Sequence, residues 1–271
     1  MNRALFVPNF GDFAEPQTFA NLAAEAEDAG WDGIYIWDHI LIEDATPMTD
    51  PWVAMSAAAT LTERIRLGPM VTPVPRRHPW KLAREVVSLD RLSSGRVDFG
   101  VGIGFPPEVE FGTFGHETDA RVRADKLDEG LDIMTGMWAG EPFAYEGDHY
   151  LVQKRTFLPT PVQEPRVPIW VAATWPNKRP FRRAARWDGV FPLKVEGDGF
   201  GQMSYDDIAE MAEYTAAHRS SDGPFDFVIG YDDAEDRSVE DLEALGATWM
   251  FFNFFDAGDE STAKVRSGPW R

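Results

Sequence analysis

The chain contains no cysteine among its 271 residues. Disulfides, thiolate nucleophiles and cysteine-ligated zinc are therefore excluded. Positive charge is scarce as well: 26 lysines and arginines stand against 45 aspartates and glutamates, a net charge of −19. Such a surface repels nucleic acid and anionic membranes, so neither is expected as a partner. No apolar run reaches the roughly 18 residues of a membrane span. The opening MNRALFVPNFGDF lacks the apolar stretch of a signal peptide, and a cytoplasmic protein is expected. The five histidines, His39, His78, His116, His149 and His218, show no HxH or HExxH spacing, so no metal site is expected. A GxSxG elbow and a Walker A loop are also missing.

What is present is a regular alternation. Strands are predicted at Ala4–Val7, Gly33–Trp37, Ile65–Val71, Arg96–Val101, Ile169–Ala172, Gly189–Leu193, Phe225–Ile229 and Trp249–Phe254. Helices are predicted between them at Pro16–Ala29, Asp50–Leu61, Pro79–Leu92, Asp119–Trp138, Lys178–Arg186, Tyr205–His218 and Val239–Leu245. Phe143–Val152 reads as a hairpin with Gly147-Asp148 at its tip. Eight strands with helical connections and no long linker predict an α/β fold, a (β/α)8 TIM barrel, as a single domain over residues 1–271. The rival, an open doubly wound sheet, normally carries GxGxxG after its first strand; here that turn is Pro8-Asn9-Phe10-Gly11-Asp12.

Barrel ligands sit at the C-terminal strand ends. The residues expected there are Asn9, Asp38, His39, Thr72, Gly102, Gly104, Ala172, Ala173 and Thr174. An imidazole at His39 can exchange protons near neutral pH, or it can simply be a buried histidine bonded to backbone. In VDFGVGIG (97–104), three glycines cluster at a strand end, where backbone can approach a ligand closely or adopt positive φ. Ala172–Pro176 precedes a helix whose N-terminus suits a phosphate, although Thr174 or Asn177 can cap it with no ligand at all. Arg76, Arg77, His78 and Lys81 form a basic cluster that would hold an anionic tail or lie solvated. Phe10, Phe105 and Trp175 are candidates to line a pocket for a planar ring.

These blocks carry a family resemblance. Phe19–Trp37 with Asp38-His39, Arg66–Thr72, AREVVSLDRLSSGRVDFGVGIG (83–104), EFGTFG (110–115), Arg123–Trp138, EPFAYEGDHY (141–150), Pro161–Ala172 and Arg182–Phe191 follow one another in order. Together they resemble the bacterial luciferase-like superfamily of flavin- and deazaflavin-dependent oxidoreductases. The resemblance implies a TIM barrel whose cofactor, coenzyme F420 or FMN, lies across the mouth. It also implies that Asp38 and His39 stand near the ring as the catalytic pair, that Thr72 contacts the cofactor, and that Val71-Thr72 lies where members often have a non-prolyl cis peptide. Gly102 and Gly104 match close-approach glycines, and Ala172, Ala173 and Thr174 match the phosphate-side loop. The expected reaction is hydride transfer with F420, or monooxygenation with reduced FMN and O2, on a small organic substrate. The Asp-His pair and the Arg76/Arg77/Lys81 cluster favour F420. Two departures stand out. Phe105-Pro106-Pro107 replaces the glutamate of the family's deazaflavin-dependent sugar-phosphate dehydrogenases, and the C-terminal third is short. The second departure motivates an alternative, a non-catalytic flavin-binding relative or a partner subunit. A homodimer is expected from the resemblance.

Overall fold

The computed structural model describes residues 1–197, 199–231 and 237–269. Its parallel strands follow the hydrophobic alternation. They are β1 (Asn2–Val7), β2 (Gly33–Ile36), β3 (Arg66–Pro69), β4 (Thr72–Pro73) and β5 (Phe99–Gly102). An outlying antiparallel hairpin, β6 (Phe143–Glu146) and β7 (Leu151–Arg155), precedes β8 (Ile169–Trp175) and β9 (Gly189–Glu196). The antiparallel β10 (Gly199–Gly201) turns back on β9, and β11 (Asp226–Tyr231) and β12 (Trp249–Asn253) complete the set.

The hydrogen-bonded order is β3-β2-β1-β12-β11-β9-β8-β5-β4. β3 and β4 are two pieces of one stave, with the cis Met70–Val71 bond between them. The ring closes where the Leu67 N–H donates to Arg96 O (3.0 Å) and the Asp98 N–H donates to Leu67 O (3.1 Å). The result is a nearly closed parallel barrel of eight staves, in chain order around the ring, as the alternation predicted.

Helices α1 (Pro16–Asp28), α2 (Pro51–Leu61), α3 (Pro79–Leu92), α4 (Pro107–Glu110), α5 (Ala120–Trp138), α6 (Lys178–Ala184), α7 (Tyr205–Ala217), α8 (Val239–Ala244) and α9 (Asp259–Arg266) join the strands. Asp50 caps α2 by accepting from the Trp52 and Val53 N–H groups, and Asp119 does the same for α5 from Arg121 and Val122. Ser204 and Asp207 form a reciprocal capping box at α7. Two short pieces, α4 and β10, fell outside the sequence reading because three or four residues carry no period. The helix α9 was missed because its sequence DESTAKVR is almost wholly polar. No helix among the described residues is long and apolar enough to cross a membrane.

The barrel has two apolar layers, as alternation on a doubly covered sheet requires. Ala4, Phe6, Tyr35, Met70, Trp170, Phe191, Val228, Trp249 and Phe251 fill the interior. The opposite strand faces, with Leu5, Val7, Ile34, Ile36, Val101 and Val171, pack against the helices. At the N-terminal floor, buried Tyr35 donates its hydroxyl to Asp98 (2.7 Å), which also receives Arg66 Nε (2.6 Å).

Nearby Asp226 accepts the Thr248 hydroxyl (2.9 Å), yet its carboxyl is raised above the usual range, chiefly by burial and further by the Asp98 charge. A raised folded-state pKa means that ionised Asp226 costs stability at neutral pH, and that the cost vanishes below the unfolded carboxyl value near ~4. Asp226→Asn, which keeps the acceptor, is therefore expected to raise the melting temperature at pH 7. The gain should disappear as the pH is lowered to about 4. A melting curve lowered at pH 7 would contradict the assignment.

Candidate active site

The chemistry-bearing residues gather where the staves end. Asp38 and His39 follow β2 after Trp37, and Asn9 from the β1 end fixes the His39 backbone. Its Nδ2 donates to His39 O and to Thr49 O, both at 2.8 Å, while the His39 N–H donates to Asn9 Oδ1 at 3.3 Å. Every direction around the Asp38 carboxylate is occupied. It accepts the Thr72 hydroxyl (2.7 Å), the Trp52 indole N–H (3.4 Å), Arg77 (3.1 and 3.2 Å) and Arg76. Burial alone would raise its pKa, but the Arg77 and Arg76 charges and the Thr72 hydrogen bond outweigh burial and hold it below the usual carboxylate range. Asp38 is thus a permanent anion that ties the second and third stave ends together.

His39 is placed differently. Its Nδ1 lies 3.0 Å from Glu110 Oε1. The Glu110 side chain is fully buried, whereas the His39 ring is 22% exposed. Glu110 also accepts from the Ile40 (3.2 Å) and Leu41 (3.4 Å) N–H groups and from Arg76. A carboxylate at Nδ1 selects the tautomer with the proton on that nitrogen and leaves the Nε2 lone pair outward. Among the described residues, Nε2 has no protein partner. Glu110 was not singled out from the sequence as a site residue; the only signal was its place at the head of the EFGTFG block. A cavity of about 360 Å3 opens beside this network, lined by Asp38, His39, Met48, Thr49, Arg76 and Arg77.

A second group stands at the interior rim. A Cβ on Gly102 would lie 2.8 Å from Val71 Cγ2 and 3.6 Å from Ala172 Cβ, so these three residues pack side by side as a wall of small side chains in which the Val71 methyl needs glycine next to it. The cis bond is Met70–Val71, one bond earlier than the expected Val71-Thr72. Trp37, half-buried beside Phe6, Phe10 and His39, has a buried indole N–H with no partner.

Other expected residues are spread out. Gly104 has φ +85°, and a Cβ there would meet the Phe111 ring at 2.6 Å. Its carbonyl and that of Ile103 accept from Arg123 Nη1 (2.7 and 2.6 Å). Ala172 and Thr174 do not lie in a loop: β8 continues to Trp175, and the next helix starts only at Lys178. Strand alternation turns Ala173 into the layer under the helices, away from the rim. Thr174 Oγ1 accepts from Asn177 Nδ2 at 3.3 Å.

The basic cluster is spent internally. Arg76 pairs with Asp38 and Glu110, Arg77 with Asp38 and Glu85, and Lys81 with Glu85. His78 stacks on Trp80. Arg76 and Arg77 are therefore committed to buried carboxylates, and Lys81, in an exposed i,i+4 pair, is the member of the cluster least tied down. Lys178 just beyond β8 is exposed and has no carboxylate partner among the described residues; its ammonium lies over two rings, 3.3 Å from the Trp175 centroid and 4.5 Å from that of Tyr214 on α7. Among the described residues, no group of three His, Asp or Glu side chains is placed to hold a metal ion.

Barrel, mouth and rim define the class: a TIM barrel with a histidine–glutamate pair at its C-terminal face. The chain belongs to the luciferase-like monooxygenase family, whose pattern matches residues 3–257. It is 34% identical over 167 residues to an F420-dependent glucose-6-phosphate dehydrogenase of Microbacterium testaceum, covering 59% of this chain and 48% of that protein. It is 31% identical over 156 residues to the oxygenase component of the flavin-dependent trigonelline monooxygenase of Acinetobacter baylyi, covering 58% and 42%. The chain thus matches about half the length of these curated relatives. In fold it resembles the monooxygenase RslO1 of Streptomyces bottropensis, with a TM-score of 0.78 at 21% identity over 98% of this chain and 96% of that one.

Proposed function

We propose that this chain is an oxidoreductase that uses coenzyme F420 or FMN on a small organic substrate. The observation that carries the reading is the His39–Glu110 pair. The buried Glu110 carboxylate holds Nδ1 at 3.0 Å and leaves Nε2 open at the end of a stave. A catalytic histidine needs this arrangement: one nitrogen fixed, the other free for a proton. The same pair favours an enzyme over a non-catalytic relative.

The residues present fit a flavin-type ring. The wall of Val71, Gly102 and Ala172 leaves room for a flat face, and the unpartnered Trp37 N–H would donate to a polar ring edge. Asp38, Thr72 and His39 would set the ring's polar side. The backbone at Gly104 and at Ala172, Ala173 and Thr174 would line the side chain leading to its phosphate, which Lys178 would pair. When bound, the deazaflavin supplies hydride exchange, whereas reduced FMN with O2 supplies oxygenation. His39 Nε2 would take up or deliver the proton that accompanies either reaction, and Asp38, paired with Arg76 and Arg77, would hold the Thr72 hydroxyl and the adjoining stave ends in place.

The same reading takes residues 1–271 as one domain, since β1 pairs with β12 and so joins the two ends of the described chain. It also places the protein in the cytoplasm. A homodimer is supported by exposed Val53 and Leu61, two turns apart on α2.

Titration with FMN and, separately, with F420, followed by tryptophan and cofactor fluorescence, tests the proposal. One of them should bind, and Lys178→Glu should weaken that binding about tenfold or more. Binding of neither would overturn the redox reading. Unchanged affinity in the Lys178 variant would remove Lys178 from the phosphate site.

A further inference from the structure

We infer that the substrate of this site is an uncharged, ring-bearing organic molecule held between two aromatic clusters, and that phosphorylated and carboxylated compounds are excluded. This rests on the redox reading above and narrows its substrate class.

The first cluster is Phe10, Trp37 and Phe255. The Phe10 and Phe255 rings stand 5.7 and 5.9 Å from Trp37, each edge-on. These residues follow β1, β2 and β12, three neighbouring staves. The second cluster is Phe105 and Phe200, whose centroids are 5.2 Å apart. Phe105 follows β5, and Phe200 lies on β10, which folds back along the end of β9. Because β8 lies between β5 and β9, the pair spans the end of β8. In an eight-stave ring the β8 stave is opposite β1, so the clusters occupy opposite sides of the mouth.

Phe105, Phe200 and Phe255 are 45%, 50% and 57% exposed, which is costly for phenylalanine unless something apolar is to be bound. The interior between the two sides is floored by Phe6 and Phe191, themselves 5.7 Å apart. Aromatic side chains thus stand on opposite sides of the mouth with Phe6 and Phe191 below them, an arrangement that rewards ring stacking.

The charges argue the same way. A substrate phosphate or carboxylate is held most firmly by a cation inside the mouth, whereas exposed Arg121 lies outside it at the start of α5. Arg76 and Arg77 are neutralised by Asp38, Glu110 and Glu85; Lys194 pairs with Asp207 at 2.7 Å; Arg123 is committed to two carbonyls. Lys178 is assigned to the cofactor phosphate. The stave ends and the segments beyond them instead carry exposed Asp12, Glu43, Asp44, Glu108, Glu196 and Asp256. An anionic substrate would meet a repulsive rim and find no partner inside.

The test uses the full chain loaded with whichever cofactor binds, after that binding has been measured alone. Acetophenone, 4-acetylbenzoate and glucose 6-phosphate are then titrated, with saturation-transfer NMR reporting ring contact and calorimetry reporting affinity. Acetophenone is expected to bind, with 4-acetylbenzoate at least about tenfold weaker and glucose 6-phosphate not measurable. Phe105→Ala and Phe200→Ala should each weaken acetophenone about fivefold or more while leaving cofactor affinity unchanged. Both are exposed, so the fold should tolerate the change.

Equal or tighter binding of either anion to the loaded protein overturns the substrate inference alone. So does acetophenone affinity indifferent to both phenylalanines, or no acetophenone binding. Failure of both cofactors to bind overturns the redox reading and the substrate inference with it.

Discussion

Arg76→Ala is expected to lower the unfolding free energy by about 3–5 kcal/mol, because it strands two buried carboxylates. The Arg76 side chain is only 7% exposed and forks between Asp38, 1% exposed, and Glu110, wholly buried. It also donates to the Asp38 carbonyl at 2.9 Å. Without it Asp38 keeps Arg77 and Thr72, but Glu110 keeps only the His39 ring and two weak backbone donors. Arg76→Lys should recover only part of the loss, since an ammonium is a point charge and lacks the planar fork that serves both acids.

The effect has a defined pH dependence. Asp38 is held below the ordinary carboxylate range, so its contribution is complete above the unfolded value near ~3.9 and is lost as the pH falls through its lower folded value. Urea unfolding of wild type and variant should therefore differ most at neutral pH and converge under acid conditions. A difference under ~1 kcal/mol at pH 7 would show that the network is not the clamp described.

His39→Ala is expected to slow turnover by about a hundredfold or more, within the usual range for removal of a general acid–base group. The ring is partly exposed at 22%, so the fold should survive and the cofactor should still bind. Steady-state rates with the cofactor identified by titration provide the measurement, with binding affinity as the control. A rise in KM alone would mean that His39 only positions the ligand, and an unchanged rate would exclude it from proton transfer.

The barrel was legible because its signal is repeated. Most buried staves are short apolar runs, the helices between them open on a capping Asp or Ser or on a first-turn Pro in most cases, and eight such units in sequence admit few other folds. His39, Asp38 and Thr72 could be located for the same reason, because a strand end is a position in sequence. The errors lie where neighbours decide. Ala172–Thr174 was expected as a loop before a helix, yet pairing of Ala172–Trp175 with Phe191–Lys194 extends the strand through it. The same pairing turns the Ala173 side chain under the helices by the period of two, so that only its backbone can face the mouth. The Arg76, Arg77 and Lys81 cluster suggested an anion site because a sequence lists charges without their partners. The fold brings Asp38, Glu85 and Glu110 onto all three. Glu110 was passed over because nothing local distinguishes it from Glu108.

By itself, then, the sequence determined the architecture, the family and the end of the barrel at which chemistry occurs, since all three follow from periodicity, composition and short contiguous blocks. Only the tertiary structure decided which charges are free and which are spent, and which nitrogen of His39 is open. It also decided which aromatic residues share a wall: Phe105 and Phe200 are 95 positions apart, yet their rings meet at 5.2 Å. The reason is physical. Secondary structure answers to neighbours within a few residues, whereas ion pairing and ring contact depend on distances that exist only once the ring of staves has closed.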